Sequence, residues 1–510
     1  MSDSPGSEQR RHSRDAGVLV MGKLLATLSD ALLPLVIVRL LGKSEVGVLT
    51  SVLLIYTTIA LVLSTGFPPA LMFHLPGRPA PERRAIATQM ALGLFCFGVI
   101  AALLLTASGL LGSFAPGLVR WLARDNSAAL LNGGLSHMFL LAAFPLGDLP
   151  ARMLPNLLVI ENRTDTAARY AIASSVGSAA FVLLPASLGA SIQTVLLAYS
   201  ALGILQGLAL LWFMRELYRG IERAPAPIPF RETVRFAVPL GLTDIVAVLN
   251  SRFDRYLISV SFPLAAFAEY QVGAFQIPIL TTVAYTVGTV YTPLLTELFR
   301  EGKAAEAIAT WRESVNKVTL IVVPIAAVFV VAAEEFVELL FTPAYLAAAP
   351  VFRCYALLTM GRVASFGTVL VAAGRPQLIL RAAIYSLLAN AALCLIGLKV
   401  FGFVGPAIGV AVAFVPMVVI YCAYIAQAAE QPLGGIFPLA NYLKVAATAA
   451  VAAIPAVLAK QWLPWPALPR MAAVAVVLLA LFSLLGSVTR QIKREDWQYL
   501  ANWLRFRVRE

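Results

Sequence analysis

Apolar runs of about 20 residues, the length a helix needs to cross a bilayer, recur along the whole chain between short polar breaks. Read this way, the sequence predicts about 14 spans, at 16–41, 46–73, 87–111, 133–158, 169–188, 192–214, 234–260, 267–295, 315–333, 346–372, 378–400, 404–425, 442–463 and 470–488. The pattern is that of an all-α, polytopic membrane protein. The stretch before the first span, MSDSPGSEQRRHSRD, is polar and leads into a full-length span with no cleavage pattern, so residues 1–15 are expected to form a disordered tail.

Composition agrees. The chain is 60% hydrophobic and only 13% charged, with a mean hydropathy of +0.82, which excludes an ordinary soluble domain. The formal net charge of +12 does not point to nucleic acid, because the basic residues are scattered among loops. Assigning the loops alternately gathers most Lys and Arg on the side that holds both termini, and the positive-inside rule makes that side cytoplasmic. Cys96, Cys354, Cys394 and Cys422 all fall in apolar spans, offer neither a disulfide framework nor metal-ligand spacing, and are expected to act as small core hydrophobes. Trp121, Trp462 and Trp465 fall near one expected interface and Trp311 near the other, as an aromatic belt requires.

The sequence contains itself twice. A shift of 224 positions aligns Glu45 with Glu269, Thr57 and Thr58 with Thr281 and Thr282, Thr65 with Thr289, and Pro69 with Pro293. A shift of 212 aligns Arg163 with Arg375, Arg169 with Arg381, and Ser174 with Ser386. The repeat unit is therefore about six spans long; an even number gives both copies the same orientation, related by an axis along the membrane normal, as in transporters whose substrate site lies at the repeat interface. The expected organisation is an N-lobe at 16–216, a cytoplasmic linker at 217–233, a C-lobe at 234–427, two further spans within 428–488, and a cytoplasmic amphipathic helix at 489–510.

Three stretches carry a resemblance to a known family: VRLLGKSEVGVLTSV (38–52), FAVPLGLTDIV followed by FDRYLISVSF (236–262), and the run from VAAGRPQLILRAAIYS onward (371–413). With their order and spacing they resemble the polysaccharide flippases of the multidrug/oligosaccharidyl-lipid/polysaccharide exporter superfamily, over essentially the whole chain. The resemblance implies a V-shaped pair of six-helix lobes, two additional C-terminal helices and a central cavity lined by spans 1, 2, 7 and 8. It also implies the cargo: oligosaccharide repeat units on a polyprenyl pyrophosphate, moved to the outer leaflet for surface polysaccharides such as O-antigen, with a polymerase and glycosyltransferases as partners.

Charges inside spans are costly and normally face a bundle interior or a water-filled cavity. In span 1, Lys23, Thr27 and Asp30 share one helix face, and Arg39 lies near its end. In span 7, Asp244, Ser251 and Arg255 share a face flanked by Arg252 and Asp254, while span 8 adds Glu269, Thr282, Thr286 and Thr289, matched in span 2 by Thr57, Thr58 and Thr65. Lys23, Arg39, Arg252 and Arg255 are candidate ligands for a pyrophosphate, which the planar guanidinium fork suits. The bland alternative is that these cations pair with neighbouring acids or snorkel, and that the threonines bond their own backbone. Asp148 and Arg152 are spaced for a local ion pair. Arg362, deep in span 10, is either a head-group ligand or a partner of Asp244; Glu334, Glu335 and Glu338 suggest a solvated outer face.

No Walker lysine motif or Gly-rich phosphate loop is present, so a transporter driven by the membrane potential, with a proton or sodium ion coupled at Asp30, Asp244 or Glu269, is expected rather than an enzyme. The nearest alternatives are a lipid II flippase or a cation-coupled drug exporter of the same superfamily. A membrane polymerase or glycosyltransferase is disfavoured by the short outer loops.

Overall fold

The computed structural model describes residues 32–64, 66–114, 134–462, 464–489 and 491. Lys23, Asp30, the N-terminal tail, Trp121 and the basic C-terminal segment lie outside the described residues. Among the described residues all regular structure is helical. After a helical stretch at 32–40 come α1 (Lys43–Ser64), α2 (Phe67–His74), α3 (Ala80–Phe114), a 3-10 turn (Leu135–Leu141), α4 (Phe144–Ala151), α5 (Leu154–Ile160), α6 (Thr164–Ser187) and α7 (Ile192–Leu217). There follow α8 (Phe230–Ser261), α9 (Leu264–Gly273), α10 (Pro278–Arg300), α11 (Ala304–Val331), α12 (Ala333–Phe341), α13 (Ala349–Gly361) and α14 (Phe366–Ala372). The last four are α15 (Gln377–Phe401), α16 (Gly405–Ala429), α17 (Leu439–Trp462) and α18 (Ala467–Val488).

The chain divides into two compact units, Met1–Val248 with Ile258–Ala268, and Leu249–Leu257 with Glu269–Glu510. The first is centred on Phe67, Leu71, Met90, Leu94, Leu154 and Leu157, where α2, α3 and α5 pack together. Close packing here depends on glycine. A Cβ on Gly147 would lie 1.8 Å from the Gly203 carbonyl oxygen, and one on Gly207 2.8 Å from Gly147 Cα, so α4 and α7 meet backbone to backbone, as small residues permit in membranes. In the second unit Val315, Val322, Val445, Ala449, Val474 and Leu478 form one buried cluster. The C-terminal pair α17–α18 is therefore part of this unit's core.

Nine stretches among the described residues are long and apolar enough to cross a membrane. One of them, Gln377–Ala429, holds two helices, α15 and α16. The expected spans absent from the nine are span 1, which begins outside the described residues, the charge-bearing α8, and spans 4 and 8, which are broken.

The breaks correct the sequence reading. Span 4 is a 3-10 turn followed by two short helices rather than one rod; Pro145, Pro150 and Pro155 each remove a backbone donor along it. Span 8 breaks between α9 and α10, and span 10 between Gly361 and Phe366. Three further expectations change. Trp311 is 1% exposed, in the core of its unit against Phe366, not in an aromatic belt. Glu335 is 1% exposed and pairs with Lys460 and Arg470, so the acidic cluster is not a solvated face. Cys96 is exposed, unlike the buried Cys394 and Cys422.

Candidate functional site

Each unit carries a polar pocket beside a broken helix. In the second unit the pocket encloses about 90 Å³. The α9–α10 break contributes Gln276, the C-terminal end of α13 contributes Tyr355 and Arg362, and α8 and α15 contribute Asn250, Ser386 and Asn390. Unwound backbone at membrane depth is tolerated where protein or a polar cavity satisfies it; Arg255 does so here, while Arg362 holds a side chain of the break. Arg255 Nη2 donates to the Ala274 carbonyl at 3.1 Å, inside the break. Arg362 Nη1 donates to Gln276 Oε1 at 2.8 Å. Asn390 Nδ2 donates to both Asn250 O and Asn250 Oδ1, at 2.7 and 3.0 Å. Ser386 Oγ is buried with no hydrogen-bond partner.

Directly beside this pocket, Asp254 is fully buried. Its Oδ2 accepts from Tyr270 Oη at 2.8 Å and from Tyr355 Oη, while its Oδ1 has no partner. Tyr355 thus links the carboxylate to the pocket wall. Two hydroxyl donors on one oxygen compensate part of the desolvation that burial imposes on a carboxylate.

In the first unit Asp148 Oδ2 accepts from Arg152 Nε at 2.9 Å and from Tyr56 Oη, so the expected local ion pair is present, with a tyrosine added. Both residues line a pocket of about 370 Å³ with Tyr170, Ser174, Ser178 and Gln206. Gln206 Nε2 donates to Ser174 Oγ at 2.9 Å. Ser174 and Ser386, aligned by the internal repeat, therefore occupy corresponding pockets, and each pocket has an arginine at the break of its helix, Arg152 or Arg362. The two arginines differ in charge balance. Arg152 has a carboxylate partner; among the described residues Arg362 has none, its hydrogen bond going to a neutral amide.

The other expected site residues are more dispersed. Arg39 is exposed and donates to its own helix at Leu35 O, 3.0 Å away. Arg252 is half-buried and hydrogen-bonds Tyr256. Thr57 Oγ1 donates to Leu54 O at 3.0 Å and Thr58 Oγ1 to the same carbonyl at 2.7 Å, the self-bonding typical of hydroxyls in membrane helices. Asp244 is exposed on α8, and Glu269 is half-buried on α9; the Thr282 side chain lies outside the description. Of the expected residues, the structure gathers Arg255 and Arg362 around the α9–α10 break. Sequence reasoning passed over Tyr56, Gln206, Gln276, Tyr355 and Asn390. A buried amide such as Asn390, placed mid-span in ANAALCLIG, was a legible signal. Among the described residues no group of three His, Cys, Asp or Glu could hold a metal.

A family model described as polysaccharide biosynthesis protein matches residues 36–350. No match to the curated proteins was found. Solved structures resemble the chain in fold. A lipid II flippase, MurJ, in an inward closed conformation has a TM-score of 0.68 at 12% identity, covering 92% of this chain and 99% of its own. An inward-facing multidrug resistance MATE family transporter of the MOP superfamily has a TM-score of 0.56 at 14% identity, covering 79% and 96%. A MOP superfamily transporter from Pyrococcus furiosus Vc1 has a TM-score of 0.53 at 14% identity, covering 82% and 95%. Together with its all-helical, multi-pass build, the family match over more than half of its length shows that the chain is a membrane protein of the polysaccharide biosynthesis protein family with the fold of MOP superfamily transporters.

Proposed function

We propose that the protein is a flippase that moves polyprenyl-pyrophosphate-linked oligosaccharide repeat units from the cytoplasmic to the outer leaflet of a bacterial inner membrane, by alternating access. The observation that carries this reading is the family match. The cations at membrane depth support it, since Arg252, Arg255 and Arg362 lie in or beside spans where an anionic head group would meet them, with Lys23 and Arg39 as further ligands. Asp30, Asp244, Glu269, Thr57 and Thr282 complete the proposed substrate and coupling surface, the acids binding a proton or sodium ion. Each negative charge leaving a negative interior gains about 2.3 kcal/mol per 100 mV. A pyrophosphate carrying roughly two charges thereby gains about 5 kcal/mol per 100 mV, a driving force that needs no ATP. Both termini are cytoplasmic in this reading, and a polymerase and glycosyltransferases act after and before the protein.

The test uses the purified full-length chain in liposomes holding a polyprenyl-pyrophosphate oligosaccharide in the inner leaflet, with outer-leaflet exposure read by an impermeant lectin. Exposure should rise faster with an imposed potential, negative inside, and should fall about 10-fold or more in Arg252→Ala and Lys23→Ala proteins that insert normally. Full exposure by both variants sinks the cation site. No exposure by the wild-type chain, with transport of lipid II instead, replaces the cargo. That second outcome is the reading favoured by the fold match that covers nearly the whole of a lipid II flippase.

A further inference from the structure

In the first unit, α3 and α7 leave between them a groove of about 700 Å³ whose floor is α4. From α3 it is lined by Thr88, Leu92 and Phe95, and from α7 by Ile204, Leu208 and Leu211. These positions recur at helical spacing on one face of each helix, and the groove is apolar along nearly all of its length. The polar groups collect at one end: Arg84 on α3, Arg215 on α7, and Arg219 just beyond it. Arg84 is anchored by donating to the Ile221 carbonyl, which holds its guanidinium at the mouth. No carboxylate pairs with any of the three among the described residues, although Glu161 and Glu216 nearby are each paired with other arginines. Three uncompensated cations above an oily slot are complementary to a ligand with an anionic head and a hydrocarbon tail.

The dimensions narrow the choice. Arg84 to Phe95 on α3, and Arg215 back to Ile204 on α7, are each eleven residues, about 16 Å at 1.5 Å per residue. That is about half of a roughly 30 Å hydrocarbon core, the depth one leaflet's acyl chains occupy. A polyprenyl tail is several times longer and would run out of groove. The floor has a structural basis: Gly147 and Gly207 bring α4 and α7 into backbone contact, and neither position puts a side chain into the slot.

We infer that this groove is a specific site for an anionic phospholipid, with Arg84, Arg215 and Arg219 on the phosphate and an acyl chain between α3 and α7. The assignment does not depend on which cargo is carried.

The experiment titrates the purified full-length protein with phosphatidylglycerol and with phosphatidylcholine of the same chain length, reading retained lipid by native mass spectrometry and stabilisation by thermal unfolding. Phosphatidylglycerol should bind saturably and about 10-fold tighter, a difference of about 1.4 kcal/mol. Arg215→Gln/Arg219→Gln, at two exposed positions, should reduce the preference to about 3-fold or less. Thr88→Trp, which fills the slot from an exposed position, should weaken retention of both lipids. Equal binding of the two lipids by the wild type, or an undiminished preference in the double variant, overturns the assignment. A polyprenyl phosphate that displaces phosphatidylglycerol at a lower concentration than phosphatidylglycerol itself also overturns it, by giving the groove to the cargo's tail.

Discussion

Glu335 offers a quantitative check on how the second unit holds its C-terminal helices. The residue lies in the first turn of α12 with 1% of its side chain exposed; Lys460 Nζ, at the end of α17, is 2.8 Å from one oxygen, and Arg470 Nη1, at the start of α18, is 3.3 Å from the other. Replacing it by Gln keeps the shape and removes the charge that both cations face. At an effective dielectric of about 20, each pair is worth a gross attraction of about 5–6 kcal/mol, and removing one partner of a buried pair costs about 3–5 kcal/mol net. Lys460 retains Glu334 at 2.8 Å, and Arg470 retains the Trp465 carbonyl, which places the expected loss near the lower bound, about 3 kcal/mol. Glu334 is 41% exposed, so Glu334→Gln should cost only about 1 kcal/mol. For a unit of this size, about 2–4 °C of unfolding temperature accompanies each kcal/mol, giving losses of about 6–12 °C and about 2–4 °C respectively. Tryptophan fluorescence during thermal unfolding in detergent measures both. Lys460→Met added to Glu335→Gln should lose less than the two single losses combined, since the residues share one interaction. Equal shifts for Glu334→Gln and Glu335→Gln, or strict additivity, would refute the view that burial makes this network hold the helix pair.

Other outcomes follow from the same physical accounting. Burial works to raise the Glu334 carboxyl, but hydrogen bonds from Lys460 and Arg353 outweigh it and hold the group down at about 2. A depressed pKa in the folded state means that its contribution is present above the ordinary carboxylate range and is lost as pH falls towards 2. The unfolding-temperature gap between wild type and Glu334→Gln should therefore close between about pH 4.5 and pH 2. Gly147→Ala should lower the unfolding temperature more than Gly220→Ala. The first drives a Cβ to 1.8 Å from a carbonyl oxygen, where no side-chain rotation relieves the clash, whereas Gly220, at φ +75°, faces open space and costs only about 1–2 kcal/mol of backbone strain. Arg152→Gln should destabilise the first unit by stranding Asp148, while Arg362→Gln should leave thermal stability nearly unchanged and slow transport; a stability loss for Arg362→Gln matching that of Arg152→Gln would contradict the charge imbalance described above.

Much of the architecture was legible because it is written in run lengths. Apolar stretches announce membrane helices without any knowledge of packing, and the duplication surfaced through residues such as Arg163 and Arg375 that low-complexity helices do not match by chance. The breaks were less visible, since hydropathy counts side chains and is blind to where the backbone ladder stops. Span 4 gave a warning in Pro145, Pro150 and Pro155; span 10 gave only Gly361 and Gly367. Glu335 and Trp311 misled for a related reason. Both residue types are usually placed at interfaces, and only the three-dimensional arrangement supplies Lys460 and Arg470 to one and Phe366 to the other.

The paired pockets show what the duplication kept and what it changed. Both copies break a helix at an arginine and set a repeat-related serine in the pocket beside it. The position four residues before the arginine is Asp148 in the first copy and Leu358 in the second. The first pocket is thereby neutral in its central pair, and an ion pair with an added tyrosine donor reads as a locked structural element. In the second copy that position holds no acid, and the buried carboxylate beside the pocket, Asp254, accepts from two tyrosine hydroxyls. An arginine at membrane depth without an acid costs several kcal/mol unless water or an anion compensates it. Two copies of one broken-helix frame thus hold a pocket whose arginine is paired with an acid and a pocket whose arginine has no carboxylate partner among the described residues, and the proposed function assigns the negatively charged head group to the second.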